Sequence, residues 1–145
     1  MPSQIKIRHQ MPERVPRGIL DTSVLIDLEK LDASLLPIEV AISSITLAEL
    51  SAGPHATDDP DERSRRLDRL QRVEAVFDPL PFDVEAARAY GRVFAAAMES
   101  GRKARGQRAV DLLIAAAALS TGLPLFTRKG ADFAAVVNLV EIVVV

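Results

Sequence analysis

The 145-residue chain has no cysteine, no tryptophan, one tyrosine and two histidines. Without thiols, thiolate catalysis, zinc held on sulfur and a disulfide framework all drop out, and the composition fits a reducing compartment. The histidines are His9, near the start, and His55, beside Gly53-Pro54. An imidazole acid-base pair therefore has little support. Aromatic residues make up only 4 % of the chain, which weakens any stacking platform for single-stranded nucleic acid. A formal net charge of -2 argues against a wholly basic nucleic-acid binder, so any nucleic acid has to be held by local patches. No uninterrupted apolar run approaches the roughly 18 residues of a membrane span. The opening MPSQIKIRHQMPERVPRG has no apolar stretch of the signal-peptide kind. The expectation is a soluble cytoplasmic protein with no membrane partner.

What is present is an aliphatic core, with 48 % hydrophobic residues drawn mainly from Leu, Val, Ile and Ala. A chain of this length buries roughly 70 % of its unfolded surface as one domain. Residues 1–17 are polar, hold Pro2, Pro12 and Pro16, and show no sustained periodicity. They are expected to form a weakly tied N-terminal extension, with the domain over residues 18–145. A buried strand ending at Ile19-Leu20-Asp21, a helix over Thr22 to Glu29, a strand over Val40 to Ser43 and a helix over Ile45 to Ala52 stopped by Gly53-Pro54 follow. Leu67, Leu70, Val73 and Phe77 mark one face of the next helix, with Arg65, Arg69 and Arg72 opposite. Phe77 to Phe82, broken by two prolines, is at most a brief edge strand. Asp83 is expected to cap a helix whose core stripe is Val84, Ala87, Gly91, Phe94 and Met98. Val110 to Thr121 reads as a helix buried on more than one side, Leu125 to Thr127 as a strand, and VEIVVV as the last strand. Strands alternating with helices predict a three-layer α/β domain with a mainly parallel sheet and a ligand site at the carboxyl ends of the strands.

Four acids sit where apolar segments meet turns or short helices: Asp21 in ILDTSVLID, Glu49 in TLAEL, Asp111 in AVDLLIAAAAL and Asp132 in LFTRKGADF. A carboxylate beside buried surface has to find a partner or lose its charge. Like charges about 4 Å apart repel by roughly 4 kcal/mol at an effective dielectric near 20. Converging acids therefore take up protons or a cation, and hard oxygen ligands suit Mg²⁺ or Mn²⁺. The chemistry that follows is phosphodiester hydrolysis.

Each acid also has an ordinary structural explanation. Asp21 suits a helix N-cap, and Glu49 stands three residues after Thr46 in the capping-box arrangement. Asp111, in the first turn of its helix, is favoured by the macrodipole, and Asp132 suits a cap on the short helix around Phe133. Asp27 reads as a surface acid. Arg102, Lys103, Arg105 and Arg108 precede Asp111 and are candidate phosphate contacts for RNA, or else a solvated loop. Gly101 to Arg108 is no nucleotide-binding loop, since Gln107 and Arg108 stand where Lys and Ser or Thr are required.

The ordered blocks DTSVLID, ITLAEL and RAVDLLIAAAALSTGLPLFTRKGADF resemble the signatures of PIN-domain ribonucleases, specifically the VapC toxins of type II toxin-antitoxin systems, over residues 18 to 145. The resemblance implies an α/β/α sandwich around a parallel sheet and a Mg²⁺- or Mn²⁺-dependent endoribonuclease acting on structured RNA such as tRNA or rRNA. It further implies inhibition of translation, neutralisation by a VapB antitoxin, and homodimers. The family's metal-binding acids fall on Asp21, Glu49, Asp111 and Asp132, and its supporting hydroxyls on Ser23 and Thr127. Where the family often has Asn-Pro after Thr-Arg, this chain has Lys129-Gly130. Two other readings remain, a non-catalytic PIN-like protein-binding module and a structure-specific DNA nuclease. Metal-dependent cleavage of total RNA separates the first, and a comparison of RNA with branched DNA the second.

Overall fold

The computed structural model describes the backbone of residues 5–7 and all of residues 14–145. His9 lies outside the described residues. One sheet holds five parallel strands: β1 (Ile5–Ile7), β2 (Arg17–Leu20), β3 (Glu39–Ile42), β4 (Leu125–Thr127) and β5 (Ile142–Val144), in the order β1-β5-β4-β2-β3. Among the described residues five α-helices cover it: α1 (Thr22–Ile26), α2 (Ser44–Ala52), α3 (Pro60–Val76), α4 (Val84–Glu99) and α5 (Gln107–Thr121).

Alternation along the strands builds a core on each face of the sheet. Ile19, Leu125 and Ile142 point to one face, where they meet Val93 and Ala97 of α4 and Ile114 to Ala118 of α5. Leu20, Phe126 and Val143 point to the other, against Val24 and Leu25 of α1, Leu50 of α2 and Val73 of α3. That is the three-layer arrangement expected from the sequence. Phe126 is fully buried, which contributes roughly 2 to 3 kcal/mol. Its ring lies so close to β2 that a Cβ on Gly18 would sit 2.6 Å from Phe126 Cε1 and 3.0 Å from Pro37 Cγ. Only glycine fits there.

The connections place the site. From β2 the chain crosses through α1 to β3 on one side, and it later returns to β4 and β5 on the other. The strand order therefore reverses between β2 and β4, the crevice where open α/β sheets bind ligands. Asp21 follows β2 there and Thr127 ends β4. Helix ends are defined by local chemistry: Ser43 accepts from Ile45 N at 3.0 Å, Asp83 accepts from Ala86 N at 2.9 Å, and Gly122 closes α5 at φ 71°.

Several expectations need correction. Part of the expected N-terminal extension is tied down, because Ile5–Ile7 pairs with Ile142–Val144 and Arg14 donates to the carbonyls of Ala33, Leu36 and Pro37. The helix expected over Thr22 to Glu29 is a single short α1, followed by a 3-10 turn at Leu28–Lys30. On α3 only Val73 is buried and Leu67 is exposed. Its arginines do not form one opposite stripe: Arg65 pairs with Glu62, while Arg69 and Arg72 border a groove of about 240 Å³ between α3 and α1, Arg72 bonding Glu29 at 2.9 Å.

The largest correction is the register of α4. Ala86, Ala89, Val93 and Ala97 face the core, whereas Val84 is 64 % exposed, Phe94 39 % and Met98 51 %. Both stripes have the helical period. The alanine face wins because it meets the Ala115 to Ala118 run of α5, where small side chains let the two helix backbones pack closely. A single bridge, with Leu80 N donating to Ile42 O and Ser44 N to Leu80 O, is all that Phe77 to Phe82 adds to the sheet edge.

Candidate functional site

Asp21 leaves β2 with its backbone N–H bound to Phe126 O at 2.8 Å, and it is 1 % exposed. Its carboxylate caps nothing, so the N-cap explanation falls away. Oδ2 instead accepts from Ser23 Oγ and from Thr127 Oγ1, both at 2.8 Å. Both hydroxyls also accept a turn N–H, Ser23 from Arg128 and Thr127 from Lys129. The β4 turn is thereby sewn to the end of β2 around one carboxylate.

Glu49 is also no cap. Helix α2 starts at Ser44 with Ser43 as its N-cap, and Thr46 is a buried residue inside the helix, so the capping box with Thr46 is not formed. Glu49 Oε1 instead accepts from Thr22 Oγ1 at 2.6 Å, which in turn lies 3.1 Å from Thr46 Oγ1. Glu49 Oε2 accepts from Gln107 Nε2 at 3.1 Å.

Asp111 sits in the second turn of α5, not the first, since that helix begins at Gln107. The macrodipole argument weakens accordingly. The residue is 2 % exposed, Oδ1 accepts from Gln107 Nε2 at 3.1 Å, and Oδ2 is buried with no hydrogen-bond partner among the described residues. Burial pushes its carboxyl up to about 6, with the nearby charges of Asp21 and Asp132 adding to the rise, while the Gln107 hydrogen bond and the Lys129 ammonium pull it down. An unpartnered buried carboxylate oxygen costs on the order of 1 to 3 kcal/mol or more, and it is the feature that most calls for a ligand.

Asp132 lies in the first turn of the 3-10 segment Gly130–Val136 and makes no cap. Its side chain is half-exposed, and Oδ2 stands 3.7 Å from Lys129 Nζ, which also lies 3.9 Å from Asp111 Oδ1. Asp27 is more than a surface acid, since it pairs with Arg128 at 3.5 Å and Lys30 at 3.8 Å.

The four acids thus line one region at the carboxyl ends of β2 and β4. Gln107 bridges Glu49 to Asp111, Lys129 bridges Asp111 to Asp132, and Asp21 is close enough to raise the Asp111 carboxyl. Among the described residues no three acidic or histidine side chains are gathered as a ready-made ion cage. Gln107 and Lys129 stand between the carboxylates instead.

The basic loop is placed beside this region. Arg102, Lys103 and Arg108 border a small crevice with Asp132, and the Arg102 guanidinium donates to Ala131 O at 2.9 Å. Arg105 is exposed further along the loop. A groove of about 260 Å³ opens on the other side of Glu49, between Thr22, Glu62, Arg66 and Arg69. Sequence reasoning missed Thr22, Thr46 and Gln107. The signal for Gln107 was present: it precedes Asp111 by four residues on one helix, the spacing at which Gln and Asp side chains meet.

A parallel sheet between helix layers, with acids gathered at its strand ends, defines the class, and the PIN domain matches residues 19–139. The chain belongs to the PIN-domain family and, within it, to the VapC ribonucleases. It is 45 % identical over 121 residues to ribonuclease VapC5 of Mycobacterium tuberculosis, covering 81 % of this chain and 86 % of that protein. It is 32 % identical over 120 residues to a ribonuclease VapC of Rickettsia bellii, covering 79 % of this chain and 87 % of that protein. Among solved structures it is similar to VapBC-5 of M. tuberculosis, a member of the VapBC family of toxin-antitoxin systems, with a TM-score of 0.78 at 43 % identity over 90 % of this chain and 99 % of that one.

Proposed function

We propose that the protein is a divalent-metal-dependent endoribonuclease, the toxin of a toxin-antitoxin pair, which cuts structured RNA such as tRNA or rRNA, so inhibits translation, and is neutralised by a VapB-type antitoxin. The observation that carries this reading is the buried, unpartnered Oδ2 of Asp111, set among Asp21, Glu49 and Asp132. Relatives named ribonuclease VapC, and a similar structure from a toxin-antitoxin system, support it.

The donor set fits Mg²⁺ or Mn²⁺, which need only one or two carboxylates when water completes the shell. Asp21 and Asp111 are the buried ligands of choice, with Glu49 and Asp132 flanking them. A bound divalent ion would orient the scissile phosphate, ease deprotonation of an attacking water and offset charge on the departing oxygen. Ser23 and Thr127 fix the orientation of Asp21 through its Oδ2, leaving Oδ1 free of that work. Thr22 does the same for Glu49. Arg102, Lys103, Arg105 and Arg108 hold RNA phosphates without reading sequence.

Two copies are proposed to associate. The exposed Val84, Phe94 and Met98 on α4 form an apolar stripe of the kind that marks protein contacts. Incubating the 145-residue protein with total RNA tests the central reading. Cleavage that requires Mg²⁺ or Mn²⁺ and stops with EDTA is expected, and cleavage unaffected by EDTA would contradict it.

A further inference from the structure

Lys129 is the cation set deepest among these acids. Its ammonium lies 3.9 Å from Asp111 Oδ1 and 3.7 Å from Asp132 Oδ2, whereas its neighbour Arg128 turns away to Asp27. The backbone that carries it is pinned on both sides. Lys129 N donates to Thr127 Oγ1, the hydroxyl that itself donates to Asp21, and Lys129 O accepts from Asp132 N at 3.0 Å. With the side chain 38 % exposed, the head can meet both the acids and an incoming anion. In two-ion phosphodiester chemistry the ions stand about 3.5 to 4 Å apart and need carboxylates on both sides. Here the opening between Asp111 and Asp132 already holds a positive charge.

Resting on the metal-dependent reading above, we propose that Lys129 takes the place of a second divalent ion. The site works with one ion at Asp21 and Asp111 and one fixed ammonium between Asp111 and Asp132, and that ammonium supplies the second positive charge to the RNA phosphate. An ammonium is a compact point charge suited to phosphate.

The test is Mn²⁺ binding to the full chain without RNA, followed by electron paramagnetic resonance of free Mn²⁺. One ion per chain is expected for the parent and for Lys129→Arg, which keeps the charge. Lys129→Met is expected to bind a second ion, or to bind the first about tenfold more tightly. Lys129→Gln serves as the second uncharged variant should Met disturb the turn. Two ions bound by the parent, or unchanged stoichiometry and affinity in both uncharged variants, would overturn the proposal while leaving the metal-dependent reading standing. No Mn²⁺ bound by any of these proteins would overturn both.

Discussion

Thr127 and Asp21, 106 positions apart in sequence, are joined by a 2.8 Å hydrogen bond from the threonine hydroxyl to the carboxylate. The bond spans neighbouring strands β4 and β2 at the reversal point of the sheet, and Ser23 completes it from the first turn of α1. Removing the hydroxyl with Thr127→Val leaves Asp21 with one donor at a position buried from water. A stability loss of about 1 kcal/mol is expected by urea denaturation, together with weaker Mn²⁺ binding. Unchanged Mn²⁺ affinity would show that Thr127 serves the fold alone.

Asp111 makes stability depend on pH in the direction opposite to a salt-bridged acid. Its carboxyl is raised from 3.8 to about 6, so between those values the folded protein binds the proton more tightly than the unfolded chain. Without divalent ions, stability therefore falls as pH rises through that window and stays low above it, by roughly 3 kcal/mol. Asp111→Asn is expected to be more stable than the parent at pH 7 in EDTA, with the advantage vanishing below pH 3.8. Thermal melts across pH check this, and equal melting temperatures at pH 7 would contradict it.

Gly18→Ala places a methyl 2.6 Å from the Phe126 ring. A loss of about 1 to 3 kcal/mol is expected from overpacking, read as a lower denaturation midpoint at unchanged slope.

The register of α4 lets its buried face be tested for folding apart from its exposed face, where two copies are proposed to pair. Val93→Ala, at a fully buried site, is expected to cost roughly 2 kcal/mol. Phe94→Glu is expected to leave the fold intact and lower the mass in analytical ultracentrifugation from that of a pair to that of a single chain. A Phe94→Glu protein that still pairs would place the contact elsewhere.

Neutralising Lys103, Arg105 and Arg108 together removes up to three phosphate contacts. RNA affinity is expected to fall and the slope of log affinity against log salt to become shallower by up to about 2. An unchanged slope would assign those side chains to solvent.

Much of the fold is legible because strand and helix periods are local. Leu125 to Thr127, the Asp83 cap and the stop at Gly122 are each written in a few neighbouring residues. The α4 register is not, since residues 84, 87, 91, 94 and 98 keep a helical period as well as 86, 89, 93 and 97 do; only the alanine run of α5, packed against it in space, decides. At the site, Asp21 and Asp111 are legible as acids inside apolar contexts. The bonds of Thr22 and Gln107 to Glu49 and the reach of Lys129 to Asp111 depend on contacts between distant elements, which no local pattern encodes, whereas Gln107 with Asp111 and Lys129 with Asp132 are pairs four and three residues apart. Glu49 shows the converse, because a local pattern with Thr46 suggested a capping box at a place where the helix does not begin.

The most direct measurement is the rate at which Asp111→Asn cleaves total RNA in saturating Mn²⁺, compared with the parent, on protein verified as folded by circular dichroism. A loss of at least about a hundredfold, or about 3 kcal/mol of transition-state stabilisation, is expected. Cleavage by the folded variant at the parent's rate would contradict the assignment of Asp111 to the metal centre.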